Sequence, residues 1–205
     1  MKSLSADQLD ALQEFINIGV GRAASILNEM LDCPIVLKIP VIEVYDTAQL
    51  QQKLEKRFDG GCFSSVRLGF SGQFSGTAEL LFPTESASTL ISVLTGENPD
   101  SPDLDAVKIG TLSEVGNIVI NGVMGSISNL LSQHLRYTIP MYLEDTIQNL
   151  LLQSQQGDDR TVFLLAQTRF EIKQLEIIGD IILIFEVSSF SALVEAIDRE
   201  LGVAP

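Results

Sequence analysis

Two pairs of polar side chains sit where this sequence could do chemistry. Glu14 and Asn17 lie in EFINIGVGRAAS (14–25), and Glu114 and Asn117 lie in EVGNIVINGVMG (114–125). A carboxylate can pair with a Lys or Arg, or act as a base. A carboxamide does not titrate, but its oxygen and two N–H donors can orient a water. Neither pair makes a complete hydrolase. His134 is the one histidine in the chain, and no G-x-S-x-G elbow offers it a nucleophile. It reads as a residue at a helix C-terminus. A Glu–Asn pair makes more sense as half of a site whose other half, a phosphate and its metal, arrives on a partner. Orienting a water with a carboxamide is established chemistry in phosphoryl transfer.

The same stretch contains Gly19-Val-Gly-Arg-Ala-Ala, which matches a G-x-G-x-x-A nucleotide fingerprint. That motif works when it follows a strand and opens a helix. Here the glycines fall in the second half of a helix, no strand precedes them, and the second copy loses the pattern. Dinucleotide binding is rejected on that context. Glycine inside a helix costs roughly 1 kcal/mol relative to alanine, so Gly19 and Gly21 need a reason. Close approach of another backbone is the expected one.

The elements that position these residues follow from a repeat. Glu14, Asn17 and Pro40 recur as Glu114, Asn117 and Pro140, each 100 residues on. ELLFPTESASTLISVL (79–94) resembles LIFEVSSFSALVEAI (183–197) more loosely, and GENPDSPDLD (96–105) separates the halves. The chain reads as one domain over residues 1–205, made of two repeats at about 1–98 and 106–200. The first helix opens on a capping box of Ser5 and Gln8, with Leu4 and Leu9 as the hydrophobic staple. Apolar residues then recur with the helical period through Met30 and Leu31, and Asp32-Cys33-Pro34 ends the run. Strands are expected at 34–46, 62–72 and 74–82, the last two as a hairpin, followed by a helix at 84–96. The second half should hold strands near 136–144, 160–171 and 176–187 and a helix near 189–201. Residues 46–61 read as a charged connection with room for a short helix, and 153–160 as a polar turn.

At 100° per residue, Asp10, Glu14, Asn17, Gly21 and Asn28 fall within about 60° of arc. Gly110, Glu114, Asn117, Asn121 and Ser128 form the same stripe on the second helix. Neither stripe carries the dense Lys–Glu pairing of an ordinary solvated helix.

Composition narrows the partners. Net charge is −14 and the 13 Lys and Arg are scattered, so nucleic acid and anionic membrane surfaces are disfavoured. No apolar run approaches the roughly 18 residues of a membrane span, and MKSLSADQLD has no signal core. Cys33 and Cys62 lack the spacing of a zinc site or disulfide framework, and read as small buried residues in a reducing cytoplasm.

The pattern Asp10-x3-Glu14-x2-Asn17-x22-Pro40, with its second copy Gly110-x3-Glu114-x2-Asn117-x22-Pro140, resembles the CheC/CheX/FliY phosphatase family of bacterial chemotaxis. The likeness covers essentially the whole chain. Two intact copies without a further C-terminal module resemble the CheC branch most. Gly110 departs from the family pattern, which has Asp or Ser there, so the second site is expected to be weaker or less ordered. The resemblance implies an α+β fold: pseudo-two-fold, duplicated αβββα-type halves sharing a β-sheet, with two long helices carrying the motif. It implies a hydrolase that removes phosphate from the phospho-aspartate of a CheY-like response regulator. Asn17 and Asn117 would orient the attacking water, and Glu14 and Glu114 would pair with the receiver's active-site Lys. Pro40 and Pro140 would shape the strand beside each helix. Asp10, Gly21, Pro40, Asn121 and Pro140 would meet the partner. Magnesium would belong to the receiver, this chain having no cofactor or metal of its own. A CheD-like deamidase is implied as a candidate second partner.

Two other function classes use the same face. One is a non-catalytic adaptor that binds a receiver or a CheD-like deamidase. The other is a stand-alone flagellar-switch component. Retained binding and signalling after Asn17→Ala and Asn117→Ala would favour the adaptor.

Overall fold

The computed structural model describes residues 4–31, 34–58, 62–96, 104–154, 161–172 and 175–203. In chain order these form α1 (Ala6–Leu31), β1 (Ile35–Tyr45), α2 (Thr47–Phe58), β2 (Cys62–Ser71), β3 (Gly76–Pro83) and α3 (Thr84–Thr95). There follow α4 (Leu104–Leu130), β4 (Arg136–Tyr137), β5 (Met141–Thr146), α5 (Ile147–Ser154), β6 (Thr161–Ile172), β7 (Leu175–Glu186) and α6 (Val187–Glu200). No helix among the described residues is long and apolar enough to cross a membrane.

Local chemistry starts and stops these elements, and the capping box expected at Ser5 and Gln8 is present. The Ser5 Oγ accepts from Gln8 N at 3.2 Å, and Gln8 Oε1 accepts from Ser5 N at 2.8 Å. These two bonds satisfy donors that the first turn of α1 leaves open. At the far end of α3, Gly96 takes a left-handed conformation with φ of 73° and donates to Ser92 O, a conformation that glycine adopts without steric cost.

The sheet is seven-stranded, in the order β1-β6-β7-β3-β2-β4, with β5 also paired to β2. Every pairing is antiparallel. The order is symmetric about the β7–β3 pair. β6–β7 and β2–β3 are equivalent hairpins, and β1 and β5 flank them on opposite sides. The first strand of each half is exchanged: β1 pairs with β6 of the second half, and β5 pairs with β2 of the first. The two copies of the repeat are therefore interlocked through one sheet.

The sheet buries both faces. Val66, Leu68, Leu80, Phe82, Leu164, Phe170, Ile181 and Phe185 point toward α1, α3, α4 and α6 in the main core. Phe63, Leu81, Phe163, Leu165 and Ile182 alternate to the other face, where Leu50, Leu54 and Phe58 of α2 and Ile147, Leu150 and Leu151 of α5 cover them. The long helices α1 and α4 pack together over the main core. Leu12, Ile16, Val20, Ala23 and Leu27 of α1 meet a face of α4 that includes Val119, Val123 and Ile127.

Three expectations change. The strand expected near 136–144 is two strands, β4 and β5, interrupted at 138–140. Pro140 has no N–H to give to a ladder, and Thr138 turns instead to Gly69, donating its N–H to Gly69 O at 2.9 Å. The stretch 147–154, for which no element was expected, forms the short helix α5, whereas the short helix for which 46–61 had room is present as α2. Cys62 is exposed at the start of β2 rather than buried. The first residue of a strand at the sheet's end has no layer above it. Cys33 lies outside the described residues, as do 155–160 of the expected polar turn and 97–103 of the connection between the halves.

One buried charge yields a test of the second face. Asp180 of β7 is fully buried, with Arg57 Nη1 of α2 at 2.8 Å from its carboxylate. Neither carboxylate oxygen receives a well-directed hydrogen bond among the described residues. Desolvation outweighs the nearby Arg57, and lifts the Asp180 pKa to about 6. An acid whose pKa is raised by folding loses stability as pH climbs from its unfolded value near 4 toward 6. At roughly 1.4 kcal/mol per unit that is on the order of 2–3 kcal/mol. In urea unfolding, Asp180→Asn should therefore gain on the wild type as pH rises from about 4 to 7. A gain that shrinks with pH would mean that the Arg57 attraction dominates.

Candidate functional site

α1 and α4 carry the two stripes, which lie on the solvent side of each helix as far as Gly21 and Asn121. Asp10, Glu14, Asn17 and Gly21 are exposed on α1. Gly110 and Glu114 are exposed on α4, and Asn117 and Asn121 are half-buried. The placement follows from packing: the residues on the opposite side of each helix are core, with Leu12, Ile16, Val119 and Val123 almost fully buried. Among the described residues, Glu14, Asn17 and Glu114 have no side-chain hydrogen-bond or ion-pair partner. A carboxylate and a carboxamide held one turn apart with their polar atoms unspent are free to engage an incoming surface.

The lower end of each stripe does different work. Asn28 Oδ1 accepts from Ile35 N at 2.5 Å, and Ser128 Oγ donates to Gln133 O at 2.5 Å. Both tie a helix to the chain that leaves it. These equivalent positions are structural, so each stripe's free part runs only as far as Gly21 or Asn121.

The two prolines sit where the flanking strand breaks register. Pro40 lies in β1 within a register shift between Lys38 and Val41 against β6. Pro140 lies between β4 and β5. In both halves the proline interrupts the outermost strand, as a residue without an N–H must. Pro140 is half-buried; the side chain of Pro40 is outside the described set.

The glycines divide by role. A Cβ on Gly19 would fall 2.4 Å from Gly122 O and 2.6 Å from Val123 Cα, so Gly19 is where α1 and α4 touch backbone to backbone. Gly21 does not share that reason, since a Cβ there would meet nothing within 4 Å. The close-approach expectation holds for the first glycine and fails for the second. What Gly21 leaves is a bare patch one turn beyond Asn17. Gly110 is open in the same way. Glu114 and Gly110 also border a cleft of about 410 Å³ whose walls include Leu27, Met30, Leu94, Val107 and Val115. An apolar depression beside a free carboxylate suits a partner that presents a cation with apolar neighbours.

The copies differ in one contact that the pattern does not reveal. Asn121 Nδ2 donates to Asn117 Oδ1 at 2.6 Å, whereas the residue at the equivalent place in α1 is Gly21. His134 lies beyond the end of α4, exposed and far in sequence from either pair. No group of three or more His, Cys, Asp or Glu among the described residues could hold a metal ion.

No family model matches the sequence. The CheY-P phosphatase CheC of Bacillus subtilis (strain 168) is 26% identical over 147 residues, which span 67% of this chain and 66% of that protein. Among solved structures, Thermotoga maritima FliY superposes with a TM-score of 0.76 at 15% identity, covering 97% of this chain and 100% of that one. The FliM middle domain from H. pylori gives a TM-score of 0.66 at 11% identity, over 94% and 99% of the two chains. At those identities the structures speak for the fold, and the curated relative carries the sequence link. Together with the paired Glu–Asn motif on two long helices, they make the chain similar in sequence to CheC and in fold to FliY and FliM, in keeping with the resemblance to the CheC/CheX/FliY family.

Proposed function

We propose that this protein accelerates loss of phosphate from the phospho-aspartate of a CheY-like receiver. One observation carries the reading: Glu14–Asn17 and Glu114–Asn117 recur at identical spacing on the solvent side of two equivalent helices, and no group of His, Cys, Asp or Glu among the described residues could hold a metal beside them. Such a site is chemically incomplete alone and complete against a partner that holds the acyl phosphate and magnesium. Asn17 or Asn117 enters beside the phosphoryl group, and its amide oxygen accepts a proton of the attacking water, aligning the water oxygen with phosphorus. The new P–O bond forms from water as the bond to the aspartate oxygen breaks. The products are inorganic phosphate and the free carboxylate, with the water's proton released to solvent. Glu14 or Glu114 holds the receiver through its lysine. Magnesium, held by the receiver and not by this chain, would supply charge neutralisation at the phosphoryl oxygens. The name of the curated relative, a CheY-P phosphatase, supports this substrate class.

The assay is phosphate release from a phosphorylated receiver with magnesium, with this protein present at well below one equivalent. Multiple-turnover acceleration is expected. Binding without acceleration, across several receivers, would replace the phosphatase with the adaptor. A receiver substrate also implies work in the cytoplasm. A CheD-like deamidase is proposed as a second partner on the family resemblance alone.

A further inference from the structure

We infer that Asn121 is a positioning residue for Asn117, so that the second site is preorganised by a contact the first site lacks. The inference rests on the proposed phosphatase reading for its effect on turnover, but not for its effect on structure.

The argument begins with the amide itself. The terminal torsion of an asparagine is broad, because rotation between sp³ and sp² atoms has shallow wells. An exposed carboxamide such as Asn17 therefore samples many orientations, and has to be fixed when a partner arrives. Asn117 is different. Asn121 lies one turn further along the same face of α4, and its Nδ2 donates to Asn117 Oδ1 at 2.6 Å. An amide oxygen has two lone pairs. One is taken by Asn121; the second, and both N–H donors of Asn117, remain for a water and a phosphoryl oxygen. The bond thus sets the plane of the amide without consuming its function, and polarises the carbonyl further.

The pair is also costly for the helix, which makes it informative. Asparagine is a weak helix former because its side chain competes for backbone hydrogen bonds, and two of them stand four residues apart in the middle of α4. Neither bonds the backbone here. They bond each other, on the half-exposed face that carries Glu114. In α1 the place equivalent to Asn121 is Gly21, where a Cβ would meet nothing within 4 Å. Space for the same pair exists in the first copy and is left empty. Asn17 is accordingly exposed where Asn117 is half-buried. The difference also bears on Gly110: the copy whose first motif position has lost its carboxylate is the one whose asparagine is held in place.

A single neutral hydrogen bond is worth about 1 kcal/mol net, or about fivefold in a rate if it is spent wholly on orientation. The test uses two readouts on the full chain. The first is the order parameter of side-chain NH₂ groups by ¹⁵N relaxation. Asn117 should be rigid and Asn17 mobile in the wild type, and Asn121→Ala should make Asn117 as mobile as Asn17. Asn117 remaining rigid in that variant overturns the inference, whatever the protein's activity. The second readout is phosphorylated-receiver turnover in an Asn17→Ala background, where only the second site works. Adding Asn121→Ala should lower kcat about three- to tenfold and leave KM within about twofold. Gly21→Asn, in an Asn117→Ala background, should raise kcat at the first site. Lost order with unchanged kcat would overturn the positioning role. Should the wild type fail to accelerate any receiver, the phosphatase reading falls, and the relaxation measurement alone decides the role of Asn121.

Discussion

Replacing Asn17 and Asn117 together by alanine is expected to return receiver dephosphorylation to its spontaneous rate, a loss on the order of 10²-fold or more in acceleration. The magnitude is that of removing a preorganised polar group aimed at the reacting centre. Folding cannot explain such a loss. Asn17 is exposed and has no side-chain partner among the described residues, and alanine is the better helix former by several tenths of a kcal/mol. Asn117 gives up one bond, to Asn121, at a half-exposed position. The double variant should therefore unfold at the wild-type urea midpoint or slightly above it, and still bind the receiver through Glu14 and Glu114. Single variants separate the copies. Partial loss in each would mean two working sites. Complete loss with Asn17→Ala alone would mean that Gly110 marks a disabled second copy, and would leave the Asn121 contact without a task. Full activity in the double variant would remove the carboxamides from the mechanism and with them the proposed site.

Why the outward-facing stripes were legible in the sequence is a matter of range. The capping box at Ser5 and Gln8, the helical period of α1 and the 62–82 hairpin are encoded within a few residues, and each formed where expected. The outward stripe follows from the same period, because placing Leu12, Ile16, Val20 and Leu27 inward leaves Asp10, Glu14, Asn17 and Gly21 outward. The repeat then supplied the second stripe from the first. Strand partners are another matter. Alternation fixes which face of β1 is buried but not which strand it joins. Its pairing with β6, over 100 residues away, is a property of the assembled sheet. The exchange of first strands between halves was accordingly invisible.

α5 was legible in principle. Asp46-Thr47-x-Gln49 enters α2, and Asp145-Thr146-x-Gln148 enters α5, at nearly the repeat's spacing. Asp46 Oδ1 accepts from Gln49 N at 2.8 Å, and Gln49 Oε1 accepts from Asp46 N at 3.1 Å. At the second copy Asp145 Oδ1 accepts from Thr146 N and from Asn149 Nδ2. The strand-to-helix signal was thus repeated, together with Ile147, Leu150 and Leu151 at helical spacing. The Asn117–Asn121 contact was hidden for another reason. The stripe put both residues on one face, but a shared face does not say whether side chains bond each other or await a partner.

Gly19→Ala is expected to destabilise the protein by about 3 kcal/mol or more, while Gly21→Ala, two residues on, should stabilise it by about 0.5–1 kcal/mol. The first Cβ would have to fit 2.4 Å from Gly122 O, 2.6 Å from Val123 Cα and 2.8 Å from Gly122 C. All three are backbone atoms, so no rotamer change relieves the clash, and α1 and α4 must separate. Separation then opens the layer made by Val20, Ala23, Val123 and Ile127, each at most 1% exposed, and loses dispersion contacts along the seam. The contact is reciprocal, since a Cβ on Gly122 would fall 2.7 Å from Gly19 O. Against a total stability of roughly 5–15 kcal/mol, the change should appear as a large drop in the urea midpoint. Gly21→Ala meets open space and gains only helix propensity. Equal midpoints for the two variants would mean that the helices are not in backbone contact at Gly19. The comparison also separates scaffold from site: Gly19 holds together the two helices that display the Glu–Asn pairs, whereas Gly21 borders only the face on which a receiver would land.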